Sequence, residues 1–266
     1  RWFIDWFFGF TILMSNQTIP RSHTASPLRY WVTGATGGLG HNAVERLCAD
    51  GATVFAIGRN AAIGETLTQL GAQFIQNDLS QSSAQYWQSL FHANDIVIHC
   101  AALSSPWGAY RDFYAINVHA TEQLAQAALV QGVARFVHIS TPSLYFNFTH
   151  QTNIRESAPL PQPVNHYAAT KRLAEERLRT YAQQGLNICI LRPRAIYGAH
   201  DNVLVPRILR AYRNGVMPLI AGGQARVDLT YMDNLVDAIV LAAHEPLDFS
   251  TEKIPTYNIS NGDPIQ

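Results

Sequence analysis

Charge is scarce in this sequence, and neither sign prevails. Only 14% of the 266 residues are Asp, Glu, Lys or Arg, and 19 basic side chains balance 19 acidic ones; globular domains average about 25% charged residues. Without a basic excess there is no electrostatic footprint for nucleic acid, and no such partner is expected. Disorder requires low hydrophobicity together with high net charge, whereas 47% of these residues are hydrophobic. Cysteine is also rare. Cys48, Cys100 and Cys189 cannot build a disulfide framework and show no metal-ligand spacing; they read as small apolar side chains in a reducing compartment. No histidine pair has ligand spacing either, so no metal is expected.

Long apolar runs are missing too. Residues 2–14 are strongly apolar, but the stretch contains Asp5 and falls short of the roughly 20 residues that span a bilayer. No small-x-small cleavage site follows it. No integral membrane span is expected, and a cytoplasmic location is. The chain starts with Arg, so the favoured reading makes Met14 the initiator; peripheral anchoring to a membrane surface is the alternative. Residues 15–27 are polar and turn-rich, and residues 1–28 are set aside as a flexible or artefactual lead-in.

What is present is alternation. Short β-branched or aromatic runs occupy residues 30–33, 53–57, 73–75, 96–100, 136–139 and 187–191, and helix-spaced segments occupy 41–49, 61–70, 84–92, 114–130 and 167–184. Continuous apolar strands alternating with helices predict a parallel sheet covered on both faces, the doubly wound α/β Rossmann fold. Residues 29–191 read as its dinucleotide-binding domain. Residues 192–266 read as a small C-terminal substrate-binding region, interleaved with the core and truncated.

After the first strand comes Gly34-Ala35-Thr36-Gly37-Gly38-Leu39-Gly40, then a helix. Glycines in a strand–turn–helix permit a tight turn and close backbone approach to a pyrophosphate, which the helix N-terminus attracts. NAD binding usually places an acidic residue at the end of the second strand, for the ribose 2′-hydroxyl. Arg59 stands there instead, and a guanidinium suits a 2′-phosphate. NADP is therefore preferred, with NAD still open. Asp78 and Leu79 follow the third strand, within reach of an adenine.

Tyr167 and Lys171 open a predicted helix at i, i+4, on one face. A phenol ordinarily titrates near ~10; a neighbouring ammonium lowers it enough for acid–base work. Ser140-Thr141-Pro142-Ser143 follows the fifth strand, so its hydroxyls stand at the sheet edge where ligands bind. Asn117, on the preceding helix, is placed to hold a water or backbone group that orients the lysine.

These motifs, with Ala101-Ala102, Leu191-Arg192-Pro193, Tyr197-Gly198 and Tyr231-Met232-Asp233-Asn234, resemble the extended short-chain dehydrogenases/reductases of the NAD-dependent epimerase/dehydratase superfamily. They are most similar to the 3β-hydroxysteroid dehydrogenase-like branch, which includes 2-alkyl-3-oxoalkanoate reductases. The resemblance implies an oxidoreductase that interconverts a ketone and a secondary alcohol on a largely apolar substrate. In it Tyr167 is the acid/base, Lys171 binds ribose and tunes Tyr167, and Thr141 is the catalytic hydroxyl. It further implies cofactor contacts at Ala101, Ala102 and Pro193, a substrate contact at Ser143, and a homodimer. Dehydratases carry Asp-Glu after the catalytic threonine, where this chain has Pro142-Ser143; Arg59 argues against an NAD-holding nucleotide-sugar epimerase, which stays as the alternative. A non-catalytic dinucleotide sensor is a third reading, disfavoured by the intact Thr141, Tyr167 and Lys171.

For the substrate, Trp107 in the loop 104–110 reads as an apolar wall or a core tryptophan. Tyr197, Leu204, Val205, Met217 and Leu219 read as cleft lining or ordinary core. Arg194 and Arg207 read as partners of a carboxylate or thioester phosphate, or as helix caps.

Overall fold

The computed structural model describes residues 28–105, 107–215, 220–246 and 254–265. The apolar start of the chain, Met217 and Leu219 lie outside the described residues. In chain order the elements are β1 (Arg29–Thr33), α1 (Gly38–Ala49), β2 (Thr53–Gly58), α2 (Ala61–Gln69), β3 (Gln73–Gln76), α3 (Ala84–Gln88), β4 (Ile96–His99), α4 (Tyr110–Tyr114), α5 (Ala120–Gln131), β5 (Arg135–Ile139), α6 (His166–Gln183), β6 (Ile188–Pro193), β7 (Ile196–Tyr197), α7 (Leu204–Arg213), β8 (Thr230–Tyr231), α8 (Met232–His244) and β9 (Thr256–Ile259).

Seven strands form one parallel sheet in the order β3-β2-β1-β4-β5-β6-β9. The order reverses between β1 and β4, and in such sheets ligands settle outside the strand C-termini at that reversal. Alternation along β1 shows why both faces are covered. Tyr30 and Val32 pack with Val44 and Leu47 of α1 and with Leu235 and Ile239 of α8. Trp31 points the other way, among Trp87, Phe91, Leu124 and Leu178. Its indole stacks on Phe55 with centroids 4.1 Å apart, and its N–H donates to buried Asp95 at 2.7 Å, so its one polar atom is satisfied.

The doubly wound fold is as expected, and two local features differ from the sequence reading. The helix read over 84–92 ends at Gln88. The amides of Leu90 and Phe91 both turn back to the Trp87 carbonyl, and this drops Phe91, 0% exposed, into the core beneath β1. The helix read over 114–130 starts at Tyr110 and contains a π-helical turn, Ala115–His119. Such a turn adds a residue to the spiral and redirects a side chain; here it carries buried Asn117. At its far end Gly132 adopts φ 67°, the left-handed cap that stops α5. Strand β9 pairs with β6 and α8 packs on α1, so part of region 192–266 completes the sheet and its cover. Cys189 is buried, Cys48 and Cys100 are half-buried, and all three are free thiols. No helix among the described residues is long and apolar enough to cross a membrane.

Candidate active site

At the reversal point lies a groove of about 310 Å³. The glycine loop makes its floor by close approach. Gly34 has φ +67°, and a Cβ there would stand 2.8 Å from the Ala101 backbone; a Cβ on Gly40 would meet the Gly34 carbonyl at 2.3 Å. Neither position admits a side chain. Of the residues expected to hold a cofactor, Gly34, Thr36, Gly37, Arg59, Asp78, Leu79, Ala101 and Ala102 line this groove. Gly38, Leu39 and Gly40 form the first turn of α1, whose amides have no helical acceptor. Pro193 stands apart from the lining, buried at the end of β6 opposite Ile259.

Arg59 is exposed at the rim, where Gln76 Nε2 donates to its carbonyl at 3.2 Å. Asp78 Oδ1 accepts from the Ser80 amide at 3.0 Å and the Ser80 hydroxyl at 2.8 Å, capping a 3₁₀ turn. The lining also includes Asn77, Cys100, Ile116 and Asn202. Asn77 and Cys100 adjoin residues singled out in the sequence. Asn202 comes from a loop far along the chain, and no local motif marks it.

Tyr167 lies in the first turn of α6, whose N-cap Asn165 accepts from the Ala168 amide at 2.8 Å. Thr141 caps a 3₁₀ turn after β5; it accepts from the Ser143 amide at 3.2 Å and donates to the Ser143 hydroxyl at 3.1 Å. Burial pushes the Tyr167 phenol above its ordinary value, and a hydrogen bond with Thr141 pulls the other way. Tyr167, Thr141 and Ser143 are thus brought together. Lys171, 1% exposed, donates to the Ile139 carbonyl at 2.7 Å and to His138 Nε2 at 3.0 Å. Burial brings its ammonium down to about 8, against the pull of Glu175. In this arrangement the lysine bonds to the sheet, and burial is the larger influence on the phenol.

Asn117 ties three segments together. Its Oδ1 accepts from the Leu103 amide at 2.8 Å, and its Nδ2 donates to the Leu103 carbonyl at 3.2 Å and to Thr170 Oγ1 at 3.0 Å. It thus holds the chain after β4 against α6, one residue from Lys171.

The expected substrate contacts are more scattered. Trp107 is 83% exposed, which excludes the core reading. Tyr197 is half-buried in β7; its hydroxyl accepts from Asn261 Nδ2 at 3.3 Å. Arg194 is exposed, and its backbone bridges β9 and Thr230. Arg207 lies on α7, which buries none of its residues.

One set of residues behind the site was not assigned from sequence. Glu175, on α6, accepts from Ser140 Oγ at 2.5 Å and from Arg192 Nε at 2.9 Å through Oε1, and from Arg192 Nη2 at 2.5 Å through Oε2. Arg192 also donates to the Tyr145 hydroxyl, which donates to Asn258 Oδ1 at 3.1 Å. This network locks α6, β5, β6 and β9 together. Its only signal in the sequence is Glu175, four residues after Lys171 and eight after Tyr167 on the same helix.

A profile of the NAD dependent epimerase/dehydratase family matches residues 30–260. The uncharacterized protein YbjS of Escherichia coli (strain K12) is 39% identical over 242 residues, 89% of this chain and 71% of that protein. A 2-alkyl-3-oxoalkanoate reductase of Stenotrophomonas maltophilia (strain K279a) is 32% identical over 90% of this chain and 72% of its own length. Among solved structures, DesIV, a dTDP-glucose 4,6-dehydratase from Streptomyces venezuelae with NAD and TYD bound, superimposes with a TM-score of 0.75 at 25% identity, covering 90% of this chain and 77% of that one.

Proposed function

The chain belongs to the NAD dependent epimerase/dehydratase family, and within it we propose an NADP-preferring oxidoreductase that interconverts a ketone and a secondary alcohol on a largely apolar, 3-oxo acyl or steroid-like substrate. The observation that carries this reading is the glycine-floored groove at the strand-order reversal, with Arg59 in its lining, together with Thr141 just past β5 and Tyr167 and Lys171 one turn apart on α6.

The residues present fit a dinucleotide. The cradle formed by Gly34 and Gly40 is one that a Cβ would fill, and it opens into the groove with Arg59 at its rim. The glycine loop and the first amides of α1 would hold the pyrophosphate, Asp78 and Leu79 the adenine end, and Arg59 a 2′-phosphate. When bound, the nicotinamide supplies or takes the hydride. In the reducing direction Tyr167 Oη gives its proton to the carbonyl oxygen as that oxygen gains charge, and in the oxidising direction it removes one. Thr141 Oγ1 donates to the same oxygen. The Lys171 ammonium favours the phenolate through space, and Asn117 fixes the helix turn that carries it.

Two further observations favour a reductase over a dehydratase and an apolar substrate over a sugar. Residues 142 and 143, Pro and Ser, offer no carboxylate next to Thr141. The helix α7 begins two residues beyond Asn202, which lines the groove, and leaves Val205, Ile208, Leu209 and Tyr212 exposed. The similarity to a 2-alkyl-3-oxoalkanoate reductase supports the same substrate class. In line with the family resemblance, the protein is proposed to act as a homodimer.

The test is to mix the purified protein with NADPH and a panel of 2-alkyl-3-oxoacyl and 3-oxosteroid substrates. Substrate-dependent loss of reduced-cofactor absorbance is expected. No turnover across the panel, with NAD co-purifying and a nucleotide sugar epimerised instead, would replace this reading with the epimerase one.

A further inference from the structure

We propose that His41, Glu45 and His200 form a binding site for one divalent transition-metal ion, with zinc the best chemical match. One donor atom from each of the three lies within 4.8 Å of the other two. His200 Nε2 is 3.8 Å from Glu45 Oε2, and the two imidazole rings face each other with centroids 3.9 Å apart and planes 27° from parallel. Ligand atoms about 2.0–2.1 Å from a tetrahedral zinc stand roughly 3.3 Å apart. Glu45 and His200 are both exposed, so rotation of their side chains can bring the set to that spacing.

The backbone already does the placing. His41 and Glu45 are i, i+4 on α1, so they share a face. His200 is delivered by a loop that is fixed at both ends. Asn42 Nδ2 donates to the Ala199 carbonyl at 2.9 Å. The Asp201 carboxylate accepts from the amides of Val203, Leu204 and Val205 at 2.8, 3.0 and 2.8 Å. The loop also lies directly on the helix: a Cβ on Gly38 would be 2.6 Å from the His200 carbonyl. His200 itself adopts φ 58°, a left-handed conformation uncommon outside glycine.

Two imidazoles and one carboxylate match the donor sets of open zinc sites, which leave a fourth position to water. Imidazole donors suit zinc and its transition-metal neighbours, whereas calcium and magnesium prefer all-oxygen shells. An ion here would clip the loop to α1 beside the groove, since Asn202, two residues on from His200, is part of the groove lining. The proposal is independent of the oxidoreductase reading.

The test is calorimetric titration of the full chain with zinc after treatment with a chelator and dialysis, read alongside thermal unfolding. One ion per chain and a higher melting temperature are expected. Loss of an outer-shell partner alone costs about 10–100-fold in metal affinity. His200→Ala and Glu45→Gln each remove a direct ligand from an exposed position, so each is expected to lose at least that much and to abolish the thermal shift. Cobalt(II) in place of zinc should give the visible absorption of a tetrahedral site in the wild type and not in His200→Ala. Failure of the wild type to bind stoichiometrically would overturn the proposal. So would unchanged affinity in His200→Ala, which would put the ion elsewhere.

Discussion

The Lys171 ammonium donates a hydrogen bond of 3.0 Å to His138 Nε2, with both side chains no more than 1% exposed. An acceptor at Nε2 leaves the ring proton on Nδ1, which is buried without a hydrogen-bond partner. Burial and Lys171 together keep this histidine neutral, well below its ordinary pKa. His138 is therefore a positioning residue for the lysine. His138→Leu deprives a buried ammonium of one of its two acceptors, so the charged form is disfavoured further. Less charge at Lys171 stabilises the phenolate less. In the alcohol-oxidising direction the pH profile of kcat should then move to higher pH, by about one unit, or roughly 1.4 kcal/mol. His138→Gln, whose amide oxygen can accept, should restore it. A purely structural role would lower both variants alike and leave the profile where it was.

Tyr167→Phe removes the proposed proton donor and nothing that touches the groove. Turnover should fall by about 10²–10⁴, the usual size of a general acid–base contribution, while NADP affinity measured by fluorescence titration changes little. Retained turnover would remove Tyr167 from the mechanism. Thr141→Val should lower kcat less, because the phenol stays in place.

Arg59 was legible from sequence because the end of the second strand has a fixed task in this fold. The glycine loop and the doubly wound alternation of strands and helices were legible for the same reason: each is set by local pattern at a strand end or helix start. What escaped the sequence depends on partners far apart in the chain. Asn202 reaches the groove from a loop beyond β7, and His200 of the same loop meets His41 of α1 at a separation that no spacing rule encodes. The π-turn at Ala115–His119 has the same composition as an ordinary helix. It is set by tertiary bonds, such as those Asn117 makes to Leu103 and Thr170, which propensity does not register.

Arg59→Ala tests the cofactor preference. Hydrogen bonds to charged groups contribute about 1.5–3 kcal/mol, so NADP affinity should weaken by roughly tenfold to a hundredfold while NAD affinity stays nearly constant. Equal loss for both nucleotides would place Arg59 on a shared part of the cofactor.

Two buried histidines set the acid limit of stability. His99, between Thr33 Oγ1 at 2.7 Å and Thr121 Oγ1 at 2.9 Å, is held down to about 3 by burial and by Lys171, and His138 is held neutral as well. Above pH ~6.5, the ordinary histidine value, both states of the chain are neutral at these sites. Below it the unfolded chain takes up protons that the folded one refuses, so stability falls with pH down towards about 3, where His99 charges in place. Each group should cost about 1.4 kcal/mol between pH ~7.5 and ~5.5. Urea unfolding at the two pH values measures the sum, and His99→Gln should remove one share of the slope.

The Glu175–Arg192 pair tests what holds the catalytic helix. Its charges are 1% and 4% exposed at the side chain, and both Glu175 oxygens are engaged. Arg192→Leu alone strands a buried carboxylate, and breaking such a pair costs about 3–5 kcal/mol. Glu175→Leu with Arg192→Leu removes both charges and should recover much of that loss in urea unfolding, because a buried pair is often no better than an apolar replacement of similar volume. Activity should separate from stability in the double variant. Glu175 also accepts from Ser140, which adjoins Thr141, and it lies four residues from Lys171 on the same helix. With the stability restored but this tie gone, α6 is free to shift against β5, and kcat should stay low while NADP affinity is near normal. Full recovery of kcat along with stability would show that the apolar contacts of α6 suffice to align Tyr167 with Thr141.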